Sequence, residues 1–472
     1  MILAIDQGTT GTTCLVVDED LRVRGRGYRE LRQYFPQPGW VEHHPEEIWA
    51  TVLAAAAAAV RDAGVRAADL RAIGITNQRE TTLLWERASG RPVNRAIVWQ
   101  DRRTAARCDE LPADLIRART GLVPDPYFSA TKLEWLLAQT DAPSRELAFG
   151  TVDSWLVWKL TNGSVHATDL TNASRTMLLD LDSLAWDDEL LELFGIDRAL
   201  LPRLVRSSEV VGEAKLLGAT VPVAGIAGDQ QAALFGHGCH ERGEAKATYG
   251  TGSFVLVNAG ATREPPAPGL LETTEASGGY ALEGAILSSG AAIQWLRDGL
   301  GILNDPAESE ALARQVESTG GVYFVPALTG LGSPHWNPDA RGLLSGITRG
   351  TSAAQLVRAA LEGIAFQVAD VLDAFPTGVG VLRADGGASA NGFLMQFQAD
   401  LLGCPVEVAA ETETTALGAA ALAGLAIGTW PNPEHIRSTI RRGATYEPSP
   451  DRDWVAGRRA EWHVAVRRAV LT

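Results

Sequence analysis

The chain has 472 residues, too many for a single hydrophobic core, so two or more domains are expected. Hydrophobic residues make up 46% and charged residues 21%, the balance of a folded globular protein, and the net charge of −15 argues against a nucleic-acid or anionic-membrane surface. The four cysteines, at 14, 108, 239 and 404, lie far apart and form no C-x-x-C, which fits a reducing cytosol and neither a disulfide framework nor a zinc site.

Two apolar runs, 2–5 and 14–17, are separated by Asp6, six small or polar residues from Gln7 to Thr12, and Thr13. The link is too short for a parallel crossover, so the runs should pair as an antiparallel hairpin. Its tip, Asp6-Gln7-Gly8-Thr9-Thr10-Gly11, combines free backbone N–H groups, hydroxyls and one carboxylate. Those groups suit phosphate oxygens and the metal that accompanies them; an ordinary polar turn would look similar. No basic region precedes the first run, so no secretory signal is expected.

A third strand is expected at 23–28, a Pro/Gly loop at 36–39 and an Ala-rich helix over 44–60. Residues 73–76 read as a buried strand ending in Asn77-Gln78-Arg79-Glu80, with 81–85 as its hairpin partner. Another strand, 96–99, ends at Trp99, followed by Gln100 and Asp101. Helical patterning occupies much of 104–119 and 131–139, with a rigid loop carrying Pro124, Pro126 and Tyr127 between them. Residues 155–160 look helical. The strand 223–227 ends in Gly228-Asp229-Gln230-Gln231 and leads into a helix.

At Lys246 the pattern restarts: Tyr249-Gly250-Thr251-Gly252-Ser253 is a second Gly/Thr tip running into an apolar strand. A strand over 280–287, a helix from Gly290 with Gln294, and a long amphipathic helix over 353–375 follow. A strand at 381–384 then runs into Asp385-Gly386-Gly387 and Asn391. The apolar stretch 416–430 carries three glycines, is too short to span a membrane and reads as a buried helix. The chain is thus a divergent two-copy arrangement, with the boundary near residue 236.

No P-loop, dinucleotide fingerprint, nucleophile elbow or H-E-x-x-H occurs. What remains is three Gly-rich tips at strand ends, suggesting a nucleotide held between two domains. The polar ends of the first-half strands (Arg79, Glu80, Trp99, Asp101, Asp229), with Tyr127, could line one pocket, because ligands in such sheets bind beyond strand ends. Asp229 reads as a helix N-cap, as a general base on a hydroxyl, or as both.

The blocks D-Q-G-T-T at 6–10, G-W-V-E-H at 39–43, I-T-N-Q-R-E-T-T at 75–82, D-P-Y-F-S at 125–129, S-R-T-M-L at 174–178, G-I-A-G-D-Q-Q-A-A-L-F-G at 225–236, Y-G-T-G-S-F at 249–254 and D-G-G at 385–387 resemble the FGGY carbohydrate kinases, and within them the glycerol kinases. The resemblance covers nearly the whole chain and weakens over roughly the last forty residues. It implies an α/β fold of two ribonuclease H-like (actin-like ATPase) domains, 1–236 and 237–472, with ATP and Mg²⁺ in the cleft between them. It implies transfer of the γ-phosphoryl group to glycerol, giving sn-glycerol 3-phosphate for glycerol catabolism and glycerolipid precursors.

Carried over residue by residue, Thr9, Thr10, Gly11, Thr251, Gly290, Gln294, Gly387 and Asn391 serve the nucleotide, and Asp6 holds the metal through water. Arg79, Glu80, Trp99, Tyr127, Asp229, Gln230 and Phe254 bind glycerol, with Asp229 as base. The expected protein is a cytoplasmic homo-oligomer, dimer or tetramer, without nucleic-acid partners or membrane insertion. Two departures stand out. Thr13 replaces the Arg the family often carries after the first tip, and the loop that binds fructose 1,6-bisphosphate in some members is missing around residues 213–220, so no such inhibition is expected. A kinase for a ketose, pentitol or gluconate is the nearest alternative; an actin- or chaperone-like ATPase would leave Arg79, Glu80 and Tyr127 without a role.

Overall fold

The computed structural model describes residues 1–263, 268–375 and 378–471. Two mixed sheets organise it. The first holds β1 (Ile2–Gln7), β2 (Gly11–Val17), β3 (Val23–Glu30), β4 (Ala72–Asn77), β5 (Ser208–Leu216) and β6 (Ala219–Gly228), in the order β5-β6-β4-β1-β2-β3. The strands β1, β2 and β3 form an antiparallel meander, while β4 and β6 run parallel to β1. The second sheet holds β7 (Ala245–Tyr249), β8 (Ser253–Gly260), β9 (Leu271–Thr274), β10 (Tyr280–Ile286), β11 (Leu382–Asp385), β12 (Val406–Ala409) and β13 (Arg442–Tyr446), in the order β9-β10-β8-β7-β11-β12-β13. Here β7, β8 and β10 form the meander, and β11 and β12 continue parallel to β7. The same five-strand pattern therefore occurs twice, as the restart at Lys246 suggested.

Helices cover both faces of the first sheet, which is why β1 is apolar throughout rather than alternating. Leu3 and Ile5 face α1 (Pro45–Asp62) and α2 (Val152–Leu160). Ile2 and Ala4 face a second layer that includes α3 (Asp229–Gly236). In the second half, α4 (Gly290–Asp298), α5 (Ala353–Asp373) and α6 (Gly392–Leu402) pack over Ala245, Ala247, Leu382 and Ala384.

The apolar stretch that fell short of a membrane span forms α7 (Thr414–Ala426), and no helix among the described residues is long and apolar enough to cross a membrane. Although α7 belongs to the second half, it packs on α3 and on β6, β4 and β1 of the first. Small residues make this possible. A Cβ on Gly418 would lie 1.9 Å from the Ala232 carbonyl oxygen, so no side chain fits there.

One expected pairing fails. The strand Leu83–Glu86 pairs with Leu147–Gly150, not with β4. Both edges of β4 are already occupied, by β1 and β6, so a hairpin partner has nowhere to bond.

Candidate functional site

Strand register brings the first-half residues together. Gln7 lies beside Asn77, and Asn77 beside Gly228, so β1, β4 and β6 end level with one another. Asp6, Arg79 and Asp229 consequently project from the same edge of the sheet. Asp229 opens α3, and its Oδ1 accepts from the backbone N–H of Gln230 at 2.7 Å. The same oxygen lies 3.2 Å from Arg79 Nε. Burial pushes the Asp229 carboxyl above the ordinary carboxylate range, against the opposing charges of Arg79 and Lys246. The side chain keeps 30% exposure, so it is reachable from solvent.

Arg79 and Glu80 are almost wholly buried. Glu80 is a non-glycine residue at φ +60°, in the left-handed region, with Thr81 N–H donating to the Arg79 carbonyl at 2.6 Å across it. This tight γ-turn is strained for any residue but glycine and persists because its surroundings hold it. The Ser129 hydroxyl donates to the Glu80 carbonyl at 3.0 Å, and Arg175 Nε donates to its carboxylate at 2.6 Å.

Three aromatic residues meet beside this group. Trp99 stands edge-on to Tyr127, centroids 5.6 Å apart, and to Phe254, 6.5 Å apart. Trp99 Nε1 donates to the Thr9 hydroxyl at 2.9 Å. One indole thus touches the tip of the first hairpin and the residue that follows the tip of the second. Lys132, buried and with its ammonium pKa pushed down to about 7 by that burial, donates to the Pro126 and Tyr127 carbonyls at 3.0 and 2.6 Å and fixes the loop that carries Tyr127.

Asp101 does not join this set. Its carboxylate is buried, accepts from Val41 N–H at 2.6 Å and pairs with Arg103 at 2.8 Å, so it holds the loop together instead.

Both hairpin tips close with a backbone bond: Gly8 N–H to the Gly11 carbonyl, and Gly250 N–H to the Gly252 carbonyl, each 2.9 Å. Thr10 and Thr251 are exposed and Thr9 half-buried. Gly290 N–H donates to the Gly250 carbonyl at 2.9 Å, which seats the start of α4, and with it exposed Gln294, against the second tip. The third tip leans on the second: Gly386 has φ +85°, and a Cβ there would lie 2.6 Å from the Tyr249 carbonyl oxygen. Gly387 is exposed beside it, and Asn391 caps α6 through Leu394 N–H at 3.0 Å.

Asp6 is held well above the ordinary carboxylate range, first by burial and then by the charges of Asp229 and Glu413. Thr13, its cross-strand neighbour, supplies no counter-charge. Such a surplus of negative charge suits a cation. Among the described residues, however, no three carboxylate, imidazole or thiol groups converge on one point, so an ion there would need water and phosphate ligands as well.

Three residues join the site without having been singled out from sequence. Glu283 on β10 pairs with Arg79, and Arg175 pairs with Glu80. Lys246 on β7 donates to the Gln230 side-chain oxygen and, at 2.9 Å, to the Thr248 hydroxyl. Burial pushes the Lys246 ammonium down to about 8. A signal existed for each: Arg175 lies inside the S-R-T-M-L block, and Glu283 and Lys246 are lone charges in or at the head of apolar strands.

Residues 1–236 match the N-terminal domain of the FGGY family of carbohydrate kinases and residues 245–427 its C-terminal domain; the chain belongs to this family and has its actin-like ATPase fold. Among its relatives is a glycerol kinase of Trichlorobacter lovleyi, 54% identical over 99% of this chain and 98% of the relative. The solved structure of Plasmodium falciparum glycerol kinase with ADP superposes with a TM-score of 0.93, at 35% identity over 100% of this chain and 98% of that one. A Brucella ovis xylulose kinase superposes at 0.88 with 27% identity, covering 99% of this chain and 97% of its own.

Proposed function

We propose that the protein is an ATP-dependent glycerol kinase that forms sn-glycerol 3-phosphate. The observation that carries this reading is the environment of Asp229: a carboxylate still open to solvent, with its basicity raised by burial and its position held by Arg79. The length and identity of the match to glycerol kinases support the acceptor assignment over a ketose or sugar-acid acceptor. Arg79 and Glu80 offer donors and acceptors to hydroxyls, while Trp99, Tyr127 and Phe254 offer an apolar wall to carbons. Gln230, its side-chain oxygen taken by Lys246, retains its amide N–H groups for a ligand.

Transfer is in line, with positioning and charge neutralisation supplying most of the acceleration. Asp229 takes the proton from a terminal hydroxyl as it attacks the γ-phosphorus. The backbone N–H groups and hydroxyls of the tips at Thr9, Thr10 and Gly11, and at Thr251, hold phosphate oxygens. Gly290, Gln294, Gly387 and Asn391 serve the nucleoside end. Asp6 would hold Mg²⁺ through water, and the ion would supply charge neutralisation at the phosphates. In this division residues 1–236 carry the acceptor site and residues 237–472 most of the nucleotide site. Four buried free cysteines agree with a reducing, cytoplasmic setting, where a homo-oligomer is the working form.

ADP release with and without glycerol, for the wild type and Asp229→Asn, tests the reading. Release should depend on glycerol and fall by on the order of 10²–10⁴ in the variant. Glycerol-independent turnover, or an undiminished variant, would refute it. A panel of ketoses, pentitols and gluconate separates the sugar-kinase alternative.

A further inference from the structure

The group that orients Arg79 comes from the other half of the molecule. Glu283 sits in the middle of β10, fully buried, opposite Leu256 on β8 and Leu271 on β9. Its two carboxylate oxygens accept from Arg79 Nη1 at 2.6 Å and Nη2 at 2.8 Å. This fork uses both terminal nitrogens of the guanidinium and leaves Nε turned towards Asp229 and Glu80, at 3.2 and 3.8 Å. Arg175 Nη2 approaches the same carboxylate at 3.4 Å, so two first-half arginines converge on one second-half glutamate. The remaining neighbours of Arg79 are weaker: Gln231 Oε1 at 3.3 Å and the Tyr127 hydroxyl at 3.5 Å.

A buried carboxylate among apolar neighbours is costly unless paired, and a bidentate pair adds fixed geometry to charge. The surrounding docking is polar as well. Ser174 and Thr273 share a hydroxyl contact of 2.6 Å, and Gln231 Nε2 donates to Thr273 at 3.1 Å. The edge strands of the second sheet therefore meet the first half at the back of the acceptor pocket.

We propose that Glu283 is a positioning residue for the acceptor site: its bidentate grip on Arg79 holds the guanidinium in the orientation that recognises acceptor hydroxyls and keeps it from closing over Asp229. This rests on the reading of Arg79 as an acceptor-binding residue. Without the carboxylate, only Asp229 and Glu80 pull on the guanidinium, which swings further towards them, so the acceptor loses its donor and the existing ion pair with the base tightens. Nucleotide binding, which involves neither group, is untouched.

The test compares Glu283→Gln, Glu283→Asp and Arg79→Ala in the full-length protein, with thermal unfolding recorded for each. KM for glycerol and for ATP are measured separately, and glycerol binding is measured by calorimetry without nucleotide. Glu283→Gln is expected to weaken glycerol binding and raise its KM about tenfold or more, as loss of one partner of a buried charge pair does, with KM for ATP within about twofold. Glu283→Asp keeps the charge, shortens the reach and should fall between. Glu283→Gln combined with Arg79→Ala should be no worse than Arg79→Ala alone. If both Glu283 variants fold and bind glycerol as the wild type while Arg79→Ala does not, Glu283 has no positioning role and the acceptor reading survives. Intact glycerol binding by Arg79→Ala sinks the acceptor reading itself. Equal losses for ATP and glycerol reduce Glu283 to a structural support. Should Glu283→Gln fail to fold, the Glu283→Asp comparison decides alone.

Discussion

The indole of Trp99 is hydrogen-bonded to the Thr9 hydroxyl at 2.9 Å, so the apolar wall proposed for the acceptor and the first Gly/Thr tip are one mechanical unit. Replacing Trp99 with Phe keeps a ring against Tyr127 and Phe254 and removes only the N–H. KM for glycerol and for ATP are both expected to rise, by several-fold, since a neutral hydrogen bond contributes about 1 kcal/mol. Steady-state kinetics in each substrate checks this, and a rise confined to one of them would break the link.

Activity should fall on acidification at a pH above the ordinary carboxylate range of about 4, because the proposed base, Asp229, must be the carboxylate and its folded-state pKa is raised. Arg79 holds that pKa down, so Arg79→Gln should move the acid limb of the kcat profile to still higher pH. A limb that stays in place would show that the limb does not belong to Asp229.

Asp153, buried on α2 with hydroxyl partners Thr151 and Thr168, has its carboxyl pushed up to about 7 by burial and by Asp169. Unfolded, it titrates near 4, so between about pH 4 and 7 the folded state binds the extra proton and stability falls as pH rises. Asp153→Asn, of the same shape and always neutral, should flatten the decline in Tm across that window. Differential scanning calorimetry from pH 5 to 7.5 measures it.

Gly418 faces the Ala232 carbonyl with no room for a Cβ. Gly418→Ala should force α7 off α3 and cost about 1–3 kcal/mol, read as a lower denaturant midpoint. An unchanged midpoint would mean that the two helices can separate freely.

The strands β5 and β6 are joined by Leu217-Gly218 alone, both at positive φ, in a tight two-residue turn. This leaves no extended loop for a sugar bisphosphate, so fructose 1,6-bisphosphate is expected to leave the purified enzyme uninhibited. A dose series at saturating glycerol decides the point, and saturable inhibition at a separate site would contradict it.

By itself the sequence determined the repeated elements and pointed to most of the residues proposed for the acceptor and the phosphates, because they lie at the ends of short, locally coded units. A Gly/Thr tip between two apolar runs specifies its own hairpin. The N-cap reading of Asp229 does not hold: Gly228 is the N-cap and Asp229 is the first helical residue, its carboxylate accepting a backbone N–H only from the adjacent Gln230. The family resemblance added Phe254 and the separate roles of the tip residues. Tertiary structure decided what depends on contacts between distant segments. The strand Leu83–Glu86 had to find another partner because β4 was enclosed on both sides, a fact about sheet order that no local window contains. Asp101 looked like a pocket group until Arg103 and Val41 claimed it. Glu283 lies 204 residues from Arg79, and only the docking of one sheet's edge on the other half turns its charge into a clamp on the acceptor site.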